Sequence, residues 1–267
     1  MLTFTKMNGA GNDFVMLDNR DGSLALEKAQ IACLCDRHRG IGADGLLVVE
    51  PAQEGADFRM RYYNADGGEA EMCGNGARCF ARFAQRVSGS NGDLSFETLA
   101  GVIKARFLGE NVEIQMSEPH SMRLGDQLEL AGEKFTVDSI NTGVPHAVVT
   151  VEDVDVIDIR KLGEALRHHP RFTPKGTNAN FVQRLGTQTI AIRTYERGVE
   201  DETLACGTGM VACALLFSEV AGAVSPVKVK VRGGETLEVA FEKSGATWGN
   251  VTLTGPADFT FEGTVEV

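Results

Sequence analysis

Residues 61–79 read RYYNADGGEAEMCGNGARC, and the rest of the chain is organised around this stretch. Cys73 stands where a polar, glycine-bearing loop gives way to Ala77-Arg78-Cys79-Phe80-Ala81-Arg82-Phe83-Ala84. That run mixes alanine, aromatics and arginine at helical spacing. A helix is therefore expected to begin just after Cys73, with Gly74 and Gly76 letting backbone N–H groups approach whatever lies in front. Unpaired amides and the helix dipole at such an end favour negative charge, which binds anions and lowers the pKa of a thiol.

The pattern recurs. Residues 193–210 read RTYERGVEDETLACGTGM, so Arg-x-Tyr leads again to Cys-Gly-x-Gly, now at Cys206, and then to the apolar run Val211 to Phe217. Gly11-Asn12-Asp13-Phe14 is echoed by Asn178-Ala179-Asn180-Phe181, and Asn111-Val112-Glu113-Ile114 by Asn250-Val251-Thr252-Leu253. These echoes predict an α/β (α+β) protein of two pseudo-symmetric lobes from an internal duplication, each mostly strands around one or two helices. Residues 1–118 form the expected first lobe, carrying Cys73, and 119–257 the second, carrying Cys206, with the crossing at Glu118-Pro119-His120. The strand expected over 258–267 has no counterpart in the repeat and should return to the first lobe.

Composition narrows the function. With 267 residues, 43% hydrophobic and 24% charged, the chain is an ordinary soluble globular protein. A net charge of −11 argues against nucleic-acid or anionic-membrane partners, while a locally basic pocket for a small substrate stays compatible with it. The N-terminus lacks an apolar targeting core and no apolar run reaches membrane-spanning length. Six cysteines without a dense framework indicate thiols in a reducing compartment, so a cytoplasmic location is expected.

Other motifs weigh less. Gly40-Ile41-Gly42-Ala43-Asp44-Gly45 matches a dinucleotide glycine pattern, but a helix precedes it and a strand follows, the reverse of what that pattern requires. The helix is expected over Glu27–His38, with Arg37-His38-Arg39 as a basic last turn before Gly40. Cys33 and Cys35 lack the paired knuckles or histidines of structural zinc and are read as buried thiols, as are Cys79 and Cys213. No metal site is expected. On its residues alone, His146 in Gly143-Val144-Pro145-His146 is either structural or catalytic. Asn64 and Glu196 take matching places in the repeat, facing a site or serving turns.

Through these motifs the whole chain resembles the diaminopimelate epimerase family. The resemblance rests on Gly9 to Phe14, Arg39 to Gly45, Asn64-Ala65-Asp66-Gly67, Met72 to Arg78, Pro145-His146, Thr177 to Phe181, and Tyr195-Glu196-Arg197-Gly198 through Ala205-Cys206-Gly207-Thr208-Gly209. It differs from the related proline racemase pattern at Asn75, where histidine is usual, and at Leu204-Ala205, where Ser-Pro is usual. The resemblance implies two lobes, each a curled, mostly antiparallel sheet around a central helix, with the site in the cleft between them. It implies racemisation at an α-carbon of a small amino-acid substrate without pyridoxal phosphate, metal or other cofactor. Cys73 and Cys206 are then the acid and base, assisted by His146 and Glu196. The substrate is held by Asn12, Asn64, Gly74, Asn75, Asn178, Glu196, Arg197, Gly207 and Thr208, with Arg197 on the distal carboxylate. A homodimer is implied too, with the last strand around Phe261 as the expected contact. Two departures bear on distal recognition: Gly45 stands where many members have glutamine, and Val144 where many have asparagine. Another cofactor-free racemase, or a metal- or redox-responsive binding protein using the six cysteines, are the alternatives.

Overall fold

The structure of the protein, a computed structural model, describes residues 1–70, 72–245 and 247–266. The chain divides into one compact unit of Met1–Gln115 with Gly255–Val267 and another of Met116–Thr254.

In the first unit, β1 (Leu2–Gly9) and β2 (Asn12–Asp18) form a hairpin closed at Gly9↔Asn12. Its two turn residues, Ala10 (φ 59°) and Gly11 (φ 95°), are both left-handed, the combination whose twist matches paired strands. Helix α1 (Lys28–Cys35) carries the chain over to β3 (Gly45–Pro51), which runs parallel to β2 with Phe14 opposite Gly45. Parallel neighbours need such a crossover, because a tight turn reverses direction. β4 (Phe58–Asn64) returns antiparallel, placing Asn64 opposite Gly45. Asn12, Gly45 and Asn64 thereby share one end of three adjacent strands. All four of Phe14, Val15, Met16 and Leu17 are buried, the mark of a strand covered on both faces. Val15 and Leu17 pack with Ile31 and Leu34 of α1. Helix α2 (Gly74–Ser88) contributes Phe80, which packs at a tilt against Phe96 with ring centroids 4.7 Å apart, and ends at left-handed Gly89. β5 (Leu94–Thr98), β6 (Gly101–Leu108) and β7 (Asn111–Gln115) follow as an antiparallel meander.

The second unit repeats the crossover. After a long hairpin of β8 (His120–Leu130) and β9 (Glu133–Asn141), β10 (Pro145–Val151) pairs antiparallel with β9. Helix α3 (Ile159–Arg167) then leads to β11 (Asn178–Arg184), parallel to β10 with His146 opposite Asn178. β12 (Thr189–Glu196) returns antiparallel and pairs with the short β13 (Asp201–Thr203). Helix α4 (Gly207–Ala221) is apolar almost all round, as a helix enclosed by its own unit must be, and also ends at a left-handed glycine, Gly222. β14 (Val227–Lys230), β15 (Thr236–Ser244) and β16 (Thr247–Pro256) close the series. β17 (Asp258–Val265) pairs antiparallel with β1, from Leu2↔Val265 to Asn8↔Asp258. The fold is thus mixed α/β, mostly strands with four helices among the described residues, and duplicated.

Two expectations need correction. The first helix stops at Cys35 rather than His38: Asp36 takes the amides of His38 and Arg39 onto its carboxylate, which bends the basic segment out of the helix. Cys33 is exposed, because the helix turns it away from the face that buries Ile31, Leu34 and Cys35. The two units divide after Gln115 and Thr254, close to the expected 118 and 257. The β8–β9 hairpin went unread because β8 is mostly exposed and shows no clean alternation. Val267, the last residue of the strand expected over 258–267, and Glu71, within the opening stretch, lie outside the described residues.

One charge cluster ties the β1–β2 hairpin to the segment after α1. Buried Lys6 bonds the carbonyl of Gly42 and pairs with Asp13 at 2.8 Å, and Arg37 reaches both Asp13 (2.7 Å) and Asp44 (2.8 Å). Burial pushes the Asp13 carboxyl up, but hydrogen bonds from Arg37 and Lys6 outweigh it and leave the pKa at about 2, below the ordinary 3.8. A carboxylate depressed by folding stabilises fully above its unfolded pKa and loses that contribution as pH falls through the folded one. Urea denaturation should therefore show a loss on the order of 1–2 kcal/mol between about pH 4 and pH 2 that Asp13→Asn largely lacks.

Candidate active site

Each of the two candidate cysteines occupies the N-cap position of a helix. Cys73, half-buried and extended at φ −134°, precedes α2, and its Sγ accepts the amide of Gly76 at 3.4 Å. Cys206, buried and extended at φ −119°, precedes α4. The second glycine of each motif has a steric reason in the second unit. A Cβ on Gly209 would sit 2.7 Å from Asn180 Oδ1 and 3.3 Å from Cys206 Sγ.

Around Cys73 the amide orientations follow from a directed chain. Arg78 Nη2 donates to Asn75 Oδ1 at 2.9 Å, so Asn75 Nδ2 donates onward to Asn12 Oδ1 at 2.6 Å, and Asn12 Nδ2 to Asp44 Oδ2 at 2.9 Å. A guanidinium only donates and a carboxylate only accepts, so the two ends fix the flip of both carboxamides. Asn75 is fully buried, while Asn12 remains half-exposed. At the same strand end Tyr62 donates its hydroxyl to Asn64 Oδ1 at 3.0 Å. The absence of a side chain at Gly45 is explained here: a Cβ would lie 2.8 Å from the Tyr62 ring and 2.7 Å from the Tyr63 carbonyl oxygen.

A second directed chain serves Cys206. Asn180 Oδ1 accepts from Thr194 (2.9 Å), which turns its amide nitrogen toward the Ala147 carbonyl (3.0 Å) and His146 Nδ1 (3.2 Å). Burial, then the nearby charge of Arg197, hold the His146 pKa down at about 3. A neutral ring that accepts at Nδ1 carries its hydrogen on Nε2, which donates to Thr208 Oγ1 at 2.9 Å. The Thr208 hydroxyl is thereby left to donate toward Cys206 Sγ, 3.6 Å away. Thr142 also bonds the Thr208 carbonyl at 2.9 Å, anchoring the start of α4. His146 thus reaches Cys206 through the Thr208 hydroxyl. Asn178 Oδ1 accepts the backbone amide of Arg197 at 2.8 Å and its Nδ2 reaches the Pro145 carbonyl at 3.2 Å. Glu196 ends β12 half-buried beside Arg197. Val144 supplies a backbone carbonyl to the amide of Thr142 at 3.2 Å.

Within the first unit the structure thus links Asn12, Asn75 and the start of the Cys73 helix. Within the second it links His146, Asn178, Arg197, Thr208 and Cys206. Asn180, Arg78 and Tyr62 were not singled out as site residues. Asn180 stood in the echoed Asn178-Ala179-Asn180-Phe181 segment, a signal that was there to be used. His146 should remain neutral through the physiological range, so its ¹⁵N shifts should stay flat from about pH 8 to about pH 4. Between the ordinary 6.5 and about 3 the unfolded chain binds a proton that the fold refuses, so this residue makes stability fall as pH drops through that window. Titration of His146 near 6.5 in the folded protein would contradict this tautomer assignment.

The family model for diaminopimelate epimerase matches residues 4–122 and 139–260. The diaminopimelate epimerase of Aquifex aeolicus is 45% identical, covering 98% of this chain and 97% of its own, and that of Chlorobaculum tepidum is 42% identical, covering 97% and 99%. Among solved structures, a phenazine biosynthesis protein of the PhzF family from Bacillus anthracis aligns with a TM-score of 0.76 at 16% identity, covering 100% of this chain and 99% of that one. A probable proline racemase from Agrobacterium radiobacter aligns at 0.74 and 16%, covering 100% and 93%. At such identity these two share the fold alone.

Proposed function

The chain belongs to the diaminopimelate epimerase family, and from that premise we propose that it interconverts LL- and meso-2,6-diaminopimelate with Cys73 and Cys206 as exchanging thiolate and thiol. The observation that carries this reading is the doubled motif: two helices, each capped by a cysteine and opened by Gly-x-Gly. Inverting an α-carbon needs a base on one face and an acid on the other. One thiolate removes the α-hydrogen as a proton, the electron pair passes into the α-carboxylate, and the other thiol returns a proton to the opposite face. Backbone amides at Gly74-Asn75 and Gly207-Thr208 are suited to hold the carboxylate as it takes on enolate character. In this reading no pyridoxal phosphate or metal takes part. Asn12, Asn64, Asn178 and Arg197 hold the distal amino-acid end, with the Arg197 guanidinium on its carboxylate, while His146 and Glu196 help set the protonation of the thiols. The setting is lysine and peptidoglycan precursor synthesis in the cytoplasm. No helix among the described residues is long and apolar enough to cross a membrane. Phe259 and Phe261 on β17, 39% and 48% exposed, favour a homodimer through that strand, to be read by light scattering.

The test is a stereochemical assay of LL-diaminopimelate in deuterium oxide without added cofactor, beside proline as a control substrate. Thiols exchange with solvent quickly when the site is unliganded, so the delivering thiol carries deuterium, whereas the abstracted proton stays on the other sulfur while substrate remains bound. Early product should therefore be labelled at the α-carbon and recovered substrate almost unlabelled. Product that retains mostly protium, after correction for isotope effects, would rule out separate acid and base thiols.

A further inference from the structure

Glu200 lies in the segment that joins β12 to β13, and its backbone is left-handed at φ 59°. A residue other than glycine holds that conformation only where its surroundings impose it. Here they do so at three points. The Glu200 amide donates to the Glu196 carbonyl at 2.8 Å, and the Tyr195 hydroxyl donates to the Glu200 carbonyl at 2.8 Å. The Glu200 carboxylate turns back to accept the Gly198 amide on Oε1 at 3.0 Å. The same oxygen accepts Arg167 of α3, from Nη2 at 2.8 Å and Nε at 3.2 Å, and His168 stands 3.6 Å from the other. Two glycines bring α3 to this loop. A Cβ on Gly163 would lie 2.5 Å from Tyr195 Cβ, and one on Gly176 would lie 1.9 Å from Arg167 Nη1. Arg197 sits between two such holds. Its own amide is bound by Asn178 Oδ1 at 2.8 Å and the next amide by Glu200, so side chains fix both peptide groups flanking its Cα. Its charge acts on buried His146, so this fixed backbone carries a side chain of the candidate site. If turn geometry were the only need, glycine would meet it without strain, as Gly198 does at φ 95°. What glutamate adds is the carboxylate.

We propose that Glu200 is a positioning residue for substrate recognition: its carboxylate, oriented by Arg167, fixes the peptide groups of Arg197 and so the reach of that guanidinium toward the distal carboxylate. This rests on the distal-end reading of Arg197 and deepens it. A loop that is ordered only when substrate arrives costs affinity, and one already fixed escapes most of that cost. Glu200 touches no substrate in this account. Its whole effect passes through Arg197.

Glu200→Gly separates this role from a purely structural one, because glycine suits the left-handed backbone while the carboxylate is lost. The variant should melt close to its parent. In ¹⁵N relaxation of the unliganded protein, the order parameters of the Arg197 and Gly198 amides should fall from about 0.85, the value of rigid backbone, to below about 0.6. For LL-diaminopimelate, kcat/KM should fall about tenfold, mostly through KM, when Arg197 is present. In an Arg197→Ala background the same change should cost less than about twofold, since no guanidinium is left to position. Glu200→Gln, whose carbonyl oxygen can still accept the Gly198 amide, should recover part of both the order and the rate. Unchanged order at the two amides overturns the proposal whatever the kinetics, and so does an equal loss in the two Arg197 backgrounds. Failure of the distal-end reading shows separately, as an Arg197→Ala variant that turns over LL-diaminopimelate like its parent; relaxation then still decides whether Glu200 holds the loop.

Discussion

Cys73→Ser and Cys206→Ser should each lower kcat/KM by roughly 10³-fold or more while leaving a protein that melts close to its parent. The chemistry sets the first half of that expectation. A cysteine thiol titrates at roughly 8.5 and lower at a helix N-terminus, whereas an alcohol stays protonated across the whole working range and makes a poor proton carrier. The fold sets the second. Both cysteines occupy extended N-cap positions, at φ −134° and −119°, and serine is among the best residues there because its oxygen accepts the same orphan amides. Gly76 already donates to Cys73 Sγ, and a serine oxygen is the stronger acceptor for it. At Cys206 the Thr208 hydroxyl can satisfy a buried serine. The substitution thus removes the titratable group and keeps the cap. Kinetics in both stereochemical directions, with circular dichroism and thermal melts, check it. Near-parental turnover by either folded variant would take that cysteine out of the mechanism.

What the sequence made legible was what repeats locally. Cys-Gly-x-Gly before an apolar helical run announces a capped helix wherever it occurs, and finding it twice exposed the duplication before any contact was known. The turn between Gly9 and Asn12 was half open, since glycine suits the left-handed backbone at Gly11 but nothing in an alanine announces it at Ala10. What stayed hidden depends on partners distant in the chain. The echo of residues 11–14 marked the segment that holds Asn180, but not its role, which needs the β10–β11 register to bring His146 and Ala147 to its amide. Arg78 reads as a surface arginine on an amphipathic helix, yet the strands closing over α2 and the Pro256 carbonyl enclose it completely. His146 was an even choice between roles because its tautomer is fixed by Asn180 and Thr208, both remote in sequence. The missing side chain at Gly45 looked like a lost substrate contact, whereas the Tyr62 ring already fills that space and its hydroxyl orients Asn64. β8, polar and exposed, carried no pattern from which a strand could be read.

The duplicated motif invites a symmetric expectation that the geometry refuses, and Gly76→Ala set against Gly209→Ala measures the difference. A methyl on Gly209 lands 2.7 Å from Asn180 Oδ1 and 3.3 Å from Cys206 Sγ. Asn180 has no room to retreat, being fully buried and tied to Thr194, Ala147 and His146. The clash is therefore relieved by moving the start of α4, which shifts the Thr208 hydroxyl and the sulfur it faces. Displacements of this kind, even well under an ångström, cost reactivity steeply where two atoms must exchange a proton in line. A methyl on Gly76 instead meets Leu47 Cδ1 at 3.3 Å, Cys73 Cβ at 3.4 Å and Phe14 at 3.5 Å. The first of these is the end of a flexible side chain, and the others are near ordinary contact. Gly209→Ala should accordingly lower kcat/KM roughly 10²-fold and stability by about 1–3 kcal/mol. Gly76→Ala should lose less than about tenfold in rate and under about 1 kcal/mol. Steady-state kinetics and urea denaturation of the pair decide it. Equal losses in the two variants would mean that the Asn180–His146–Thr208 chain does not fix the position of Cys206.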